Sequence, residues 1–495
     1  MAPKPSLEER STQWVYAVAY SFRGAFLWCL LVLLVRLPLI GGIFPDNPGI
    51  SSDADAPGVA ITALMLWHEG IYEPSRPPGY FLSEMINALF YPLGWWSANL
   101  FWSVVYGLSC VVYARLLLTL HIPHAFWVLI AYSFFPLMVV ENASISEYTL
   151  SNSLLVLGWY TLVRDQPLWS GWWVGSAVAA RVSQTLVAIP VFALALWARS
   201  KKWGQVGLFL GLALLTTLAL WLVPMRWLTG GWEFLAGGVW QGSLWWRILG
   251  IGYDLYRAFG LLGMAFSVLY VLGGLPQLIR LLRQEPWNIP FWMSALSLLL
   301  IILQPHKPGY ALIMVPFLYP LLVSFRSLVP FSWVVIATVS FLLVSMPYVQ
   351  FRGDGVKFRW VGEGKIQQEL MFRQHEWRIA QGLVQHPPER SVVLMGHRLY
   401  VTYLLTQQFY TRRQLSPEAS RMGHVYLKHT DTWLIRYPRP LWRGVQGTDP
   451  KAGERFLQSL VKQGYRVFYL PDMRYLYEDI PGLLENAQPL VLNNE

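Results

Sequence analysis

Long apolar runs separated by short polar turns fill residues 1–349, and beyond them the pattern changes to short mixed periods. A membrane-spanning helix needs about 20 predominantly apolar residues. Runs of this kind lie near residues 24–43, 97–119, 124–141, 148–163, 169–182, 184–198, 204–224, 259–279, 288–304, 309–325 and 330–349. The fifth and sixth are short. WSGWWVGSAVAARVSQTLVAIPVFALALW reads as one long tilted helix or as two halves meeting at Arg181.

Charge chooses between them. Lys4, Arg10 and Arg23 precede the first run, and Arg115, Arg164, Arg199, Lys201, Lys202, Arg280, Arg283 and Arg326 fall at later turns. Such residues concentrate in cytoplasmic loops of membrane proteins. Placing all of them there requires residues 169–198 to cross out and back, which makes about eleven spans. The N-terminus is then cytoplasmic, Arg181 lies near the outer surface, and everything after residue 349 is outside. The N-terminal segment has spread charges and no small-residue cleavage site, so it is not read as a signal peptide.

Residues 44–96 form an outer loop too long for a simple connector. PGVAITALMLWHEG places Val59, Ala63, Leu64, Leu66 and Trp67 on one side of a helix, with Pro57 at its start and Gly70 at its end. GYFLSEMINALFYPLG, 79–94, repeats the design. Both are too short to span and read as helices lying along the membrane surface. Between them EPSRPPGY makes a stiff turn carrying Arg76.

The chain is 55% hydrophobic and 13% charged, with 26 Trp, where soluble domains hold about 25% charged residues. This is the composition of a polytopic α-helical membrane protein. The net charge of +10 is assigned to cytoplasmic anchors and a basic soluble part facing lipid headgroups, not to nucleic acid. Residues 350–495 carry 20 of the 38 Lys+Arg and 14 of the 28 Asp+Glu. SVVLMG at 391–396 and RVFYL at 466–470 read as strands, and DPKAGERFLQSLVKQG between them as a helix ending at Gly464. A soluble extracytoplasmic α/β domain over 350–495 follows, behind a membrane domain over 1–349.

The candidate chemistry begins with SSDADAPG, 51–58. A carboxylate at the outer surface can take the proton of a hydroxyl attacking an activated carbon. A phosphate leaving group needs cations. Arg76 lies in the same loop, Arg181 between two apolar stretches, and QPHKPGY at the outer end of a span brings His306, Lys307 and Tyr310. An unpaired charge at Arg181 would be costly, so a phosphate or carboxylate partner is expected. Asp53 and Asp55 also suit the cap of the helix starting near Pro57, and Arg76 suits a snorkelling anchor. Glu84 reads as a solvated residue or a pocket residue. Glu141 and Glu147, in VVENASISEYTLSN, read as ordinary turn polarity or as the lining of an acceptor or sugar pocket. The Trp-rich stretch WRILGIGYDLYRAFG, 246–260, reads as a loop that anchors in the interface or stacks on sugar.

The layout of a first span, an acidic outer loop, two surface helices and a basic Pro-containing turn resembles the GT-C superfamily of glycosyltransferases. That superfamily includes the protein O-mannosyltransferases and the lipid A aminoarabinose transferase. The motif resemblance covers 51–84, as DADAPG followed by SRPPGY, with Ala54 between the acids and Pro57-Gly58 where aromatics are common. It implies a polyprenyl-phosphate-linked sugar donor and a lipid, glycan or protein acceptor, in a bacterial plasma membrane. It also implies Asp53 as catalytic base, with Asp55 as the second acid, and donor-phosphate contact by Arg76.

No Walker motif appears, so neither ATP nor a nucleotide-sugar donor is indicated. The tail histidines lack ligand spacing, and no metal or other cofactor is assigned. The expectation is an inverting polyprenyl-phosphate-dependent glycosyltransferase. The alternative from another class is a non-catalytic GT-C-like membrane subunit serving as a scaffold. A transporter fits less well, because the ionisable residues sit at the surface and not at the midplane.

Overall fold

The structure is a computed structural model that describes residues 7–41, 49, 55–70, 72, 74–75, 79–145, 147–232, 244–281, 288–303, 309–325, 329–352, 355–396, 399–406, 424–435, 452–471 and 487–490. Helix α1 (Leu7–Tyr20) passes into α2 (Phe22–Arg36) at Ser21, whose hydroxyl accepts the Gly24 N–H at 2.9 Å. A 3-10 turn, Leu37–Leu39, ends this first unit. Then come α3 (Asp55–Glu69), α4 (Phe81–Phe90), α5 (Trp95–Thr119), α6 (Ala125–Ser133), α7 (Pro136–Glu141) and α8 (Tyr148–Val163). They are followed by α9 (Pro167–Ala180), α10 (Val182–Thr185), α11 (Ala188–Ser200), α12 (Trp203–Thr217) and α13 (Val223–Thr229), the last two joined by a π turn. Helices α14 (Leu244–Leu281), α15 (Asn288–Leu303), α16 (Tyr310–Val323) and α17 (Phe331–Ser340) complete the bundle.

Among the described residues, four segments are long and apolar enough to cross a membrane: Phe22–Leu39, Trp95–Thr119, Trp203–Thr229 and Ile248–Gly274. The chain is a multi-pass membrane protein by these helices. Leu27, Leu108, Leu215 and Leu269 stand exposed on their outer faces, as side chains meeting lipid do. Small residues let backbones approach where the helices cross. A Cβ at Gly171 or Gly175 would strike the backbone of Phe209 or Ala213 on α12.

Three sequence expectations change. The run 124–141 is broken, since Pro136 disfavours the helical conformation of the residue before it, and α6 and α7 are separate. The stretch 246–260 is helical, forming the first part of α14, which kinks at Gly260 with φ 68°. The last run, 330–349, is helical only to Ser340, and strand β1 (Val344–Ser345) begins soon after. The break expected at Arg181 is present. Its φ of −155° and ψ of 73° separate α9 from α10, and α9 packs against α11.

After α17, β2 (Tyr348–Arg352) and β3 (Gly355–Arg359) form a hairpin, and β4 (Gly362–Glu363) pairs with β1. Helix α18 (Lys365–Gln385) leads to β5 (Ser391–Leu394), α19 (Leu399–Thr406), β6 (His424–Leu427), β7 (Thr432–Ile435), α20 (Ala452–Lys462), β8 (Arg466–Tyr469) and β9 (Ala487–Pro489). The sheet order is β6-β7-β5-β8-β9. Strand β5 runs parallel to both neighbours, and only β6–β7 is antiparallel. A core of its own, built on Val392, Val393, Leu394, Leu383, Leu434 and Leu457, holds this unit together. β5 is buried on both faces, as a central parallel strand must be. Toward the helical bundle, α18 packs on α7 and the Leu37–Leu39 turn, and α19 packs on α3.

Candidate functional site

The break between α9 and α10 is the centre of the site. Ending a helix inside a bundle orphans backbone carbonyls. Ser83, on the second turn-facing helix α4, donates its hydroxyl to Ala180 O at 3.1 Å, and Thr185 donates to Arg181 O at 2.7 Å. These bonds stabilise the break and fix the guanidinium that it displays. Arg181 is 1% exposed and pairs with the carboxylate of Glu147. It also donates to the Tyr148 hydroxyl at 2.6 Å and lies 3.7 Å from that ring's centroid. The carboxylate partner expected for Arg181 is thus Glu147, and Glu147 is not merely turn polarity.

Two further segments reach the same place. Tyr80, at the end of SRPPGY, lies 5.2 Å from the Arg181 guanidinium, and its hydroxyl is 3.1 Å from that of Ser183. Gly309, which precedes Tyr310 at the start of α16, is pressed so closely on Tyr148 that a Cβ would overlap its hydroxyl. Tyr310 itself is buried. His306 and Lys307 lie outside the described residues, in the segment leading into Gly309.

The two surface helices of the sequence analysis are α3 and α4, packed on one another. Val59, Ala63 and Leu64 form the buried side of α3, as the periodicity predicts. Trp67 is half exposed and donates its indole N–H to Ala88 O at 2.5 Å. Gly70, with φ 66°, ends the helix. Glu84 is neither solvated nor open. Fully buried on α4, its carboxylate accepts the Tyr72 hydroxyl, the Ser75 N–H at 3.0 Å and the Ser75 hydroxyl at 2.5 Å. The turn is pinned at its other end by Trp221, which donates to Gly79 O at 3.1 Å. Arg76 lies outside the described residues, between these two fixed points.

Asp53 also lies outside the described residues, and Asp55 is the first residue of α3. The first turn of that helix can still be located. Gly58 abuts Ser75, with room for no more than a tight Cβ contact at 3.2 Å. Ala56 and Ala60 share a small apolar cluster with Ala98 on α5 and with Ile145, two residues before Glu147. The start of α3, the SRPPGY turn and the Glu147 turn therefore adjoin one another. Glu141, the last residue of α7, is buried on a helix that packs on α18 and α14.

Sequence reasoning passed over Tyr148, Tyr80, Tyr72, Ser75 and Asn99. Asn99 on α5 donates to Ile40 O at 2.9 Å and Gly49 O at 2.6 Å, tying the two ends of segment 41–48 together. A polar residue within a 25-residue apolar helix was the available signal. Arg36, fully buried with its guanidinium 4.0 Å from the centroid of Tyr106, was hidden at the end of an apolar run.

No family model and no curated protein matches the chain. Two solved structures are similar to it. One is ArnT from Cupriavidus metallidurans in the apo state, at 12% identity and a TM-score of 0.48, over 76% of this chain and 84% of that one. The other is ArnT from the same organism bound to undecaprenyl phosphate, at 14% identity and a TM-score of 0.49, over 77% of this chain and 85% of that one.

Proposed function

We propose that the chain is an integral-membrane glycosyltransferase that takes a sugar from a polyprenyl phosphate and passes it to an acceptor outside the cytoplasm. The observation that carries the reading is the convergence on Arg181. A buried guanidinium at a broken helix meets Tyr80 from the SRPPGY turn, Glu147 and Tyr148 from a second turn, and, through Tyr148, Gly309 from QPHKPGY. The acid-bearing start of α3 adjoins two of those turns. In this reading the membrane part has about eleven spans, the N-terminus is cytoplasmic, and residues 350–495 form a domain outside.

Asp53 acts as general base and Asp55 as its helper or the cap of α3. The acceptor hydroxyl oxygen attacks the anomeric carbon, its proton passes to Asp53, and the bond from that carbon to the phosphate oxygen breaks. The phosphate leaves with the electron pair and so gains negative charge. Arg76 and Arg181, with His306, Lys307 and Tyr310 from the following loop, stabilise that charge. One displacement inverts the anomeric centre. Glu147 holds Arg181 in place until the donor phosphate shares or takes over that cation. Glu84 shapes the Arg76 turn and does not form an acceptor pocket.

The test is release of free polyprenyl phosphate from a panel of polyprenyl-phosphate-linked sugars by the full chain in lipid nanodiscs. A general base contributes about 100- to 10,000-fold. Asp53→Asn is expected to lose at least about 100-fold with expression intact. Wild-type release by both Asp53→Asn and Asp55→Asn overturns the catalytic assignment.

A further inference from the structure

The described elements on either side of residues 42–54, the Leu37–Leu39 turn and α3, both touch the C-terminal α/β unit. On the near flank, Arg373 of α18 donates through Nη1 to the Leu39 carbonyl at 2.8 Å. Its Nε is held by Glu369 one turn earlier, also at 2.8 Å, and both side chains are buried. A carbonyl at a helix end lacks an intrahelical partner, so a buried guanidinium there satisfies a group that would otherwise be costly to bury. On the far flank, α19 packs on α3, whose first residue is Asp55. Helix α19 follows β5, the central strand, so the contact issues from the most firmly held part of the sheet. Helix α18 is itself tied to the bundle, because the Lys365 N–H donates to Phe341 O at 2.8 Å at the end of α17.

We infer that the C-terminal α/β unit is a clamp on the acid-bearing segment, with Arg373 as its positioning residue and Glu369 as the group that aims it. This rests on the reading that the acids do the chemistry. A base displaced by about 1 Å can lose 100-fold in rate, which gives such a clamp a function that a passive appendage would not have. Asn99 acts with it from inside the bundle, holding Ile40 O and Gly49 O.

The test is amide hydrogen exchange on the full chain in lipid nanodiscs, without any donor. Arg373 and Glu369 are a buried pair, so the variant replaces both, Arg373→Met with Glu369→Gln. Exchange at residues 37–41 and 55–60 is expected to quicken at least tenfold, while residues 147–152 keep wild-type rates. Arg373→Lys should recover part of the protection. Unchanged exchange in the double variant, or equal quickening at residues 147–152, overturns the clamp. Because no donor is present, failure of undecaprenyl phosphate to bind would count against the proposed function and leave this result standing.

Discussion

Replacing Glu84 by alanine removes the acceptor of the Ser75 N–H, the Ser75 hydroxyl and the Tyr72 hydroxyl in one step. Each buried donor left without a partner costs about 1–3 kcal/mol. The Ser75 hydroxyl can rotate toward another acceptor, and the Tyr72 hydroxyl keeps only the weak acceptor Met225 Sδ at 3.3 Å, so two donors set the total. Glu84→Ala should therefore cost about 2–6 kcal/mol. Glu84→Gln keeps one acceptor oxygen and loses mainly the charge assistance, for about 1–2 kcal/mol. Tyr72→Phe removes one of the orphaned donors, so the Glu84→Ala/Tyr72→Phe pair should cost less than the sum of its parts by about 1–3 kcal/mol. Reversible unfolding in bicelles measures these values, and amide exchange at residues 72–80 shows whether the turn loosens. A Glu84→Ala cost below about 0.5 kcal/mol, with a strictly additive cycle, would refute the claim that this carboxylate builds the Arg76 turn.

Three other outcomes follow from the same geometry. Gly309→Ala should lower stability by about 1–3 kcal/mol through overpacking against Tyr148; the φ of Gly309 is an ordinary −56°, so no backbone strain contributes. Its effect on undecaprenyl phosphate binding should be a loss of about tenfold, equal to about 1.4 kcal/mol. Asn99→Leu should quicken exchange at Ile40 and Gly41 by removing its bonds to the two carbonyls, and unchanged rates would contradict the role given to Asn99. In the C-terminal unit the hydroxyls of Tyr465 and Tyr426 donate to Asp431 at 2.6 and 2.8 Å and hold its carboxyl below the usual carboxylate value. A depressed folded value adds stability above the unfolded value of about 3.9 and loses it as pH falls through the folded one. Asp431→Asn should therefore lose a little stability at neutral pH, match wild type once the carboxyl is protonated well below about pH 4, and so flatten the acid limb of the stability curve. Asparagine tolerates the left-handed conformation that Asp431 adopts, with φ 54°.

Where an element declares itself by local period or punctuation, the sequence was sufficient. The buried side of α3, its stop at Gly70, the break at Arg181 and the β5, α20 and β8 segments were all legible in that way. What was not legible depends on partners remote in the chain. Glu147 and Arg181 have no spacing that marks them as a pair, and turn polarity explained Glu147 equally well until the fold joined them. The same holds for Arg373 and Leu39, which stand far apart in the sequence and meet only in the fold. Glu84 looked solvated because its helix is amphipathic and short, and only the return of Tyr72 and Ser75 over it makes it buried. The first part of α14 reads as a loop in the sequence because its glycines and aromatics outweigh a helical period that packing sustains.

The central claim is that Arg181 stands where a donor phosphate binds, and binding of undecaprenyl phosphate to the full chain in lipid nanodiscs tests it. Arg181 and Glu147 are a buried ion pair, so the informative variant is Arg181→Gln with Glu147→Gln, set beside Glu147→Gln by itself. The account predicts that the double variant binds at least about 100-fold more weakly than wild type, equal to about 2.7 kcal/mol, while Glu147→Gln binds as tightly as wild type or tighter. Wild-type affinity in the double variant would contradict it.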